Sequence, residues 1–89
     1  MKNKEIFNVV FREKPAMMLI ILKNSTSELY ASSLAKQTDC TYSHVVKILQ
    51  LMEQSGLITF KKQGRLNLIY LTKKGTNFAD NLVSAYNSL

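Results

Sequence analysis

Acidic residues are scarce in this chain of 89 residues: six Asp and Glu stand against twelve Lys and Arg, a formal net charge of +6. Cysteine, histidine and proline occur once each, and glycine three times. A lone cysteine rules out an intramolecular disulfide, and Cys40 with His44 cannot fill the four positions of a structural zinc site within one chain. Both shortages point to a reduced, cytoplasmic setting with no metal. Long apolar runs are also missing. The longest, Ala16 to Leu22, has seven residues, far short of the roughly 20 of a membrane-spanning helix, so no membrane association is predicted. Glu5 and Glu13 spoil a basic leader, and cleavage after Leu22 would discard much of the core. The chain therefore reads as complete, one compact domain over residues 1–89. Hydrophobic residues make up 46%, and a domain of this size buries roughly 60 to 65% of its unfolded surface. An ordered core without staples is expected.

The charge is unevenly spread. Residues 1 to 35 carry Lys2, Lys4, Arg12, Lys14 and Lys23 against Glu5, Glu13 and Glu28, a net +2. Residues 36 to 74 carry Lys36, Lys47, Lys61, Lys62, Arg65, Lys73 and Lys74 against Asp39 and Glu53, a net +5. The tail holds only Asp80. A pI of about 9.6 lies in the range of nucleic-acid-binding domains, and the excess is concentrated in the middle of the chain.

Periodicity supplies the scaffold for that charge. Ile6, Phe7, Val10 and Phe11 recur at helical spacing ahead of Pro15, which suits the first turn of a second helix over about 15 to 23. That helix is apolar almost all round and belongs in the centre. Glu28 to Tyr30 reads as a brief strand and Ala31 to Thr38 as a short helix. Thr41 is a good N-cap for the next helix, with Cys40 and Val45 at the positions of a hydrophobic staple and Gly56 just past the end. Val45, Ile48, Leu49 and Met52 form its buried stripe. Ser43, Lys47, Gln50 and Gln54 point the opposite way, with Val46 beside them, and this outward face holds no acid. Two β-rich runs, Leu57 to Lys62 and Leu66 to Leu71, flank Gln63, Gly64 and Arg65 and read as a hairpin. The unbroken apolar stretch Leu68 to Leu71 suggests that both sheet faces are covered near its base. Thr72 caps a last helix with Phe78, Leu82, Ala85, Tyr86 and Leu89 along one side.

The predicted class is α+β, mostly α. Leu34-Ala35-Lys36-Gln37-Thr38, Thr41-Tyr42-Ser43-His44-Val45-Val46-Lys47, Leu57-Ile58 after Gly56, and Leu71-Thr72-Lys73-Lys74-Gly75 follow one another in an order that resembles the MarR-like winged helix-turn-helix transcriptional regulators. The resemblance covers about residues 15 to 78 and implies a winged helix with an extra N-terminal helix and a C-terminal helix after the wing. It implies that 41 to 55 is the recognition helix and that 61 to 65 is the wing tip. The tip lacks that family's acidic-x-arginine signature, and 14 residues follow Gly75 where the family has longer dimerisation helices. A separate effector pocket is not expected.

The partner implied is double-stranded DNA. An α-helix fits the major groove, and its N-terminal half reaches base edges. Thr41, Tyr42, Ser43, Val46, Lys47 and Gln50 are the expected contacts of the recognition helix, and Lys61, Lys62, Gln63 and Arg65 those of the wing. The apolar residues Ile6, Phe7, Val10, Phe11, Phe78, Leu82, Tyr86 and Leu89 exceed what one small domain covers easily, which suggests a homodimer paired through its terminal helices. A repressor acting by occupancy is the expected role. Blander readings stand beside these. The lysines also suit a solvated face, and Tyr42 also suits packing on the helix start. Lys73 and Lys74 sit in a first helical turn, where the dipole disfavours cations; a nearby phosphate and simple snorkelling into water both account for them. Cys40 reads as a small core residue. Ser43, His44 and Asp39 include the residue types of a catalytic triad, but Ser43 and His44 diverge by about 100° on a helix. No enzymatic activity, catalytic residue or cofactor is assigned. The alternative is a winged-helix protein-interaction module in a larger transcription or assembly complex, which needs an acidic or apolar outward helix face. RNA binding ranks below both, because Tyr42 is the one aromatic platform near the basic face.

Overall fold

The computed structural model describes residues 4–89; Lys2 of the charge count lies outside them. The elements follow in the order α1 (Lys4–Val10), α2 (Glu13–Asn24), α3 (Ala31–Thr38), α4 (Tyr42–Gln54), β1 (Ile58–Gln63), β2 (Leu66–Leu71) and α5 (Lys73–Asn87). β1 and β2 form a two-stranded antiparallel sheet running from the pair Ile58 and Leu71 to the pair Gln63 and Leu66. No helix among the described residues is long and apolar enough to cross a membrane.

The core gathers at the centre of the helical layer. Met18 and Leu19 of α2, Leu34 of α3 and Val45, Leu49 and Met52 of α4 are wholly or almost wholly buried, and Ile58 and Ala79 close it from the hairpin and α5. α2 starts two residues earlier than Pro15, which is buried in its first turn. The missing proline N–H costs nothing there, since the first backbone bond of this turn runs from Ala16 N to Arg12 O at 3.0 Å. α3 and α4 are joined by a tight three-residue turn, residues 39 to 41. Its first residue, Asp39, is left-handed at φ 56° and ψ 48° and caps α3 in the role usually given to glycine. Lys14 reaches across from α2 and donates to the Thr38 carbonyl at 2.6 Å, placing a cation at the negative end of α3.

Three expectations are corrected. Residues 28 to 30 are not a strand: one backbone bond, Ile69 N to Leu29 O at 3.0 Å, ties this extended segment to β2, and a single bond makes no ladder. Gln63 belongs to β1 and not to the loop, since it pairs with Leu66. The loop is therefore Gly64 and Arg65 alone. Gly64 has φ 63° while Arg65 keeps an ordinary negative φ, the pattern of a type II′ turn, whose twist matches that of the strands it joins. Val10 is not surplus surface: at 3% exposure it is part of the core, because the last turn of α1 directs it inward. Leu68 and Ile69 are neighbours on β2 and both buried, so both faces of the sheet are indeed covered at its base.

Candidate nucleic-acid interface

α4 is held to the core by its buried stripe Val45, Ile48, Leu49 and Met52. Its start is fixed by Thr41, whose hydroxyl oxygen accepts from His44 N at 3.3 Å, so Tyr42, Ser43 and His44 open the helix at the surface. Thr41, Tyr42, Ser43, Lys47 and Gln50 are all exposed, and Val46 is half-buried. The structure therefore brings the six recognition-helix residues singled out from the sequence onto one solvent-facing side.

The two flanks of that side differ. On one, Tyr42, Val46, Gln50 and Glu53 line a cleft whose far wall is Phe60, Leu66, Asn67 and the wing-tip Arg65. On the other, His44 and Lys47 border a shallow depression against Arg12, Glu13 and Lys14 at the start of α2. Glu53 was missed by counting only the outward residues. It lies three positions after Gln50 and seven after Val46, so the same helical count shows it on the wing-side flank. The acid-free description holds for the outward residues but not for this edge.

Lys61, Lys62, Gln63 and Arg65 are exposed around the wing, yet they do not form one cluster. Successive strand residues face opposite ways. Lys62 shares its face with Phe60 and Asn67, whereas Lys61 stands opposite Leu68 on the other. Arg65, in the turn, is at the tip.

Three further cations, Lys14, Lys23 and Lys74, are engaged within the chain. Lys74 donates to the Ser55 carbonyl at 2.7 Å, just past the end of α4. The C-terminal dipole of α4 thus offsets the unfavourable position of Lys74 at the start of α5, without phosphate or snorkelling. Lys23 pairs with Asp80 at 3.3 Å, joining α2 to α5. Among the described residues no hydrogen bond or ion pair engages Lys47, Lys61, Lys62 or Arg65.

The terminal helices meet inside the chain. Phe11 lies 4.7 Å from Phe7 and makes an edge-on contact with Phe78 at 5.8 Å between ring centroids. Ile6, Phe78 and Leu82 are half-covered by packing against the core, while Phe7, Phe11, Tyr86 and Leu89 remain exposed.

No protein-family model matches the chain, and no curated protein matches its sequence. Its likeness to known proteins is one of shape. AF1382 from Archaeoglobus fulgidus superimposes with a TM-score of 0.82 at 23% identity, over 91% of this chain and 92% of that one. MepR, a transcription regulator of the Staphylococcus aureus multidrug efflux pump MepA, gives 0.80 at 18% identity over 97% of this chain. The fold is a MarR-like winged helix. The MarR family transcriptional regulator SPO1453 from Silicibacter pomeroyi agrees, with a TM-score of 0.78 at 23% identity over 98% of this chain. This winged helix spans 65% of the length of MepR and 62% of that of SPO1453. In its terms α3 and α4 are the helix-turn-helix pair and the β1–β2 hairpin is the wing.

Proposed function

We propose that the chain is a sequence-specific double-stranded DNA-binding transcriptional regulator, a homodimer that represses by occupying its site. One winged-helix domain over residues 1–89 supplies both the reading head and the pairing surface. It acts in the cytoplasm, without catalysis or cofactor. The observation that carries this reading is the placement of four exposed cations, Lys47 on α4 and Lys61, Lys62 and Arg65 on the wing, around the helix-turn-helix. Cations satisfied within the fold would have no call on phosphate; these four have no other partner among the described residues. The naming of MepR and SPO1453 as transcription regulators supports it. A protein-interaction module needs an acidic or apolar outward face on α4, and Ser43, Lys47, Gln50 and Gln54 supply neither.

A salt series on random duplex DNA and on single-stranded RNA tests the proposal. Roughly 6 to 10 phosphate contacts from a dimer predict a loss of about 10³ to 10⁵ in duplex affinity between 50 and 200 mM salt. Equal or tighter binding to the RNA would overturn it.

Pairing is expected through Phe7 and Phe11 together with Tyr86 and Leu89, the four members of the apolar set left exposed at 44%, 56%, 68% and 100%. Ile6, Phe78 and Leu82 would support them from beneath. Burying large apolar side chains across a two-fold axis contributes roughly 1.5 to 3 kcal/mol each, and it would set two recognition helices against a palindromic site. Light scattering at micromolar concentration should report twice the chain mass. A monomer there would end this part of the proposal.

A further inference from the structure

We infer that the wing-side edge of α4 reads a thymine and an adenine lying within two base pairs of each other in the major groove, Val46 taking the thymine methyl and Gln50 the adenine edge. This rests on the duplex-DNA reading above and adds to it what the site contains.

The two flanks of α4 divide the work by their chemistry. Guanine is read most often by arginine or lysine; neither arginine of the chain, Arg12 or Arg65, lies on α4, and its one lysine is Lys47. Lys47 stands on the flank away from the wing, bordering a depression lined by Arg12 and Lys14 and also by Glu5 and Glu13, and so apart from Val46 and Gln50. The wing-side flank carries Val46, Gln50 and then Glu53. Val46 and Gln50 present the apolar and amide groups that meet base edges, with Arg65 across the cleft left to grip the strand from the wing.

Val46 is half-buried beside exposed polar neighbours. A β-branched side chain on a helix holds one rotamer in about nine cases in ten, so its methyl groups are fixed before any partner arrives. Of the four bases only thymine offers a methyl in the major groove. Gln50 is exposed, and no hydrogen bond among the described residues engages its amide. Its carbonyl and NH₂ are both free to meet the adenine N6 amino group and N7, the pairing for which a side-chain amide is shaped. The two residues are four apart on one helix, which separates them by about 6 Å along the axis. Base pairs are stacked at about 3.4 Å, so the two bases read fall within two steps.

The test uses the full chain and begins with selection of bound sequences from a random duplex library. A thymine and an adenine within two base pairs should recur in the enriched half-site. Replacing that thymine by deoxyuridine removes only the methyl and should weaken binding about fourfold, the worth of one buried methyl group. Val46→Ala should bind the two duplexes equally. Gln50→Ala should lose about 5- to 150-fold of the preference for adenine over guanine at its position. Circular dichroism of both variants, with Val46→Thr as a variant that keeps shape and one methyl, separates reading from folding. An enriched site that holds guanine or cytosine at these positions, or a deoxyuridine duplex bound as tightly as the thymine one, would overturn the inference and leave the DNA reading standing. Failure to bind or enrich any duplex would overturn both.

Discussion

Replacing Gly75 by alanine should lower the melting temperature by about 12 to 24 °C, or prevent folding altogether. A Cβ built at Gly75 falls 1.8 Å from the carbonyl oxygen of Leu57, 2.8 Å from its carbonyl carbon and 3.2 Å from its Cα. All three are main-chain atoms, and the Leu57 oxygen has no freedom to withdraw because it accepts from Thr72 N at 3.0 Å. The Thr72 hydroxyl, meanwhile, donates to the Gly56 carbonyl at 2.5 Å, and its oxygen accepts from Gly75 N at 3.0 Å. The first turn of α5 is thus clasped to the chain leaving α4, and a methyl group forces the clasp open. Overpacking of this kind costs about 3 kcal/mol or more, and each kcal/mol corresponds to roughly 4 to 8 °C in a domain of this size. Gly64 provides the contrast. A Cβ there meets nothing within 4 Å, and the only penalty is its φ of 63°, worth about 1 to 2 kcal/mol. A thermal melt of Gly75→Ala within a few degrees of the parent would show that the clasp is looser than described.

Removing Lys47, Lys61 and Lys62 together, by alanine, should weaken the binding of each chain to its half-site by roughly 10² to 10³ near 0.1 M salt, and that of a dimer by roughly the square of this factor. Each phosphate contact contributes a slope of about −0.9 in log affinity against log salt, so three contacts per chain contribute close to −2.7. At 0.1 M salt that slope alone corresponds to a factor of about 500. The three side chains are exposed and make no hydrogen bond or ion pair among the described residues, so the circular-dichroism spectrum should be unchanged. Affinity equal to the parent at low salt would remove Lys47 and the wing from the interface. Lys14 and Lys74 predict the opposite behaviour: their ammonium groups cap the ends of α3 and α4, and their loss belongs to stability before it belongs to binding.

Where the structure agrees with the sequence, the signal was local. The stripe Val45, Ile48, Leu49, Met52 and the caps Thr41 and Thr72 depend on residues within a turn or two of one another, and the structure has them all. Gly56 at φ 79° follows the end of α4 as a helix-stopping glycine should. Apart from Gln63 and Glu53, the misreadings involve partners distant along the chain. Nothing near Leu29 says that only one hydrogen bond reaches it from β2. Val10 follows the same periodicity as Phe7 and Phe11, and only the placement of α1 over the core separates the buried residue from the exposed ones. Lys74 looked like free positive charge because Ser55, its acceptor, is 19 positions away. Gly75 was recognised as part of a motif, but its reason, the backbone of Leu57, lies across the start of the wing. For the site, the outward residues of α4 and Glu53 on its edge were legible from helical counting, whereas the surroundings of Lys61 and Lys62 on the two sheet faces required the register of the hairpin.

The clasp between Thr72, Lys74, Gly75 and residues 55 to 57 also has a mechanical meaning. It fastens one end of α5 to the end of α4, while Tyr86, on the proposed pairing surface, lies near the other. A helix of 15 residues is about 22 Å long. A change of about 10° in the angle at which two such helices cross would swing the far end by about 4 Å, close to the 3.4 Å step between base pairs. In the proposed dimer α5 would work as a lever arm: small repacking where two chains meet would be converted into a whole-step change in the distance between their α4 helices. The stiffness of the joint at Gly75 would decide whether that motion reached the proposed DNA site or was absorbed on the way.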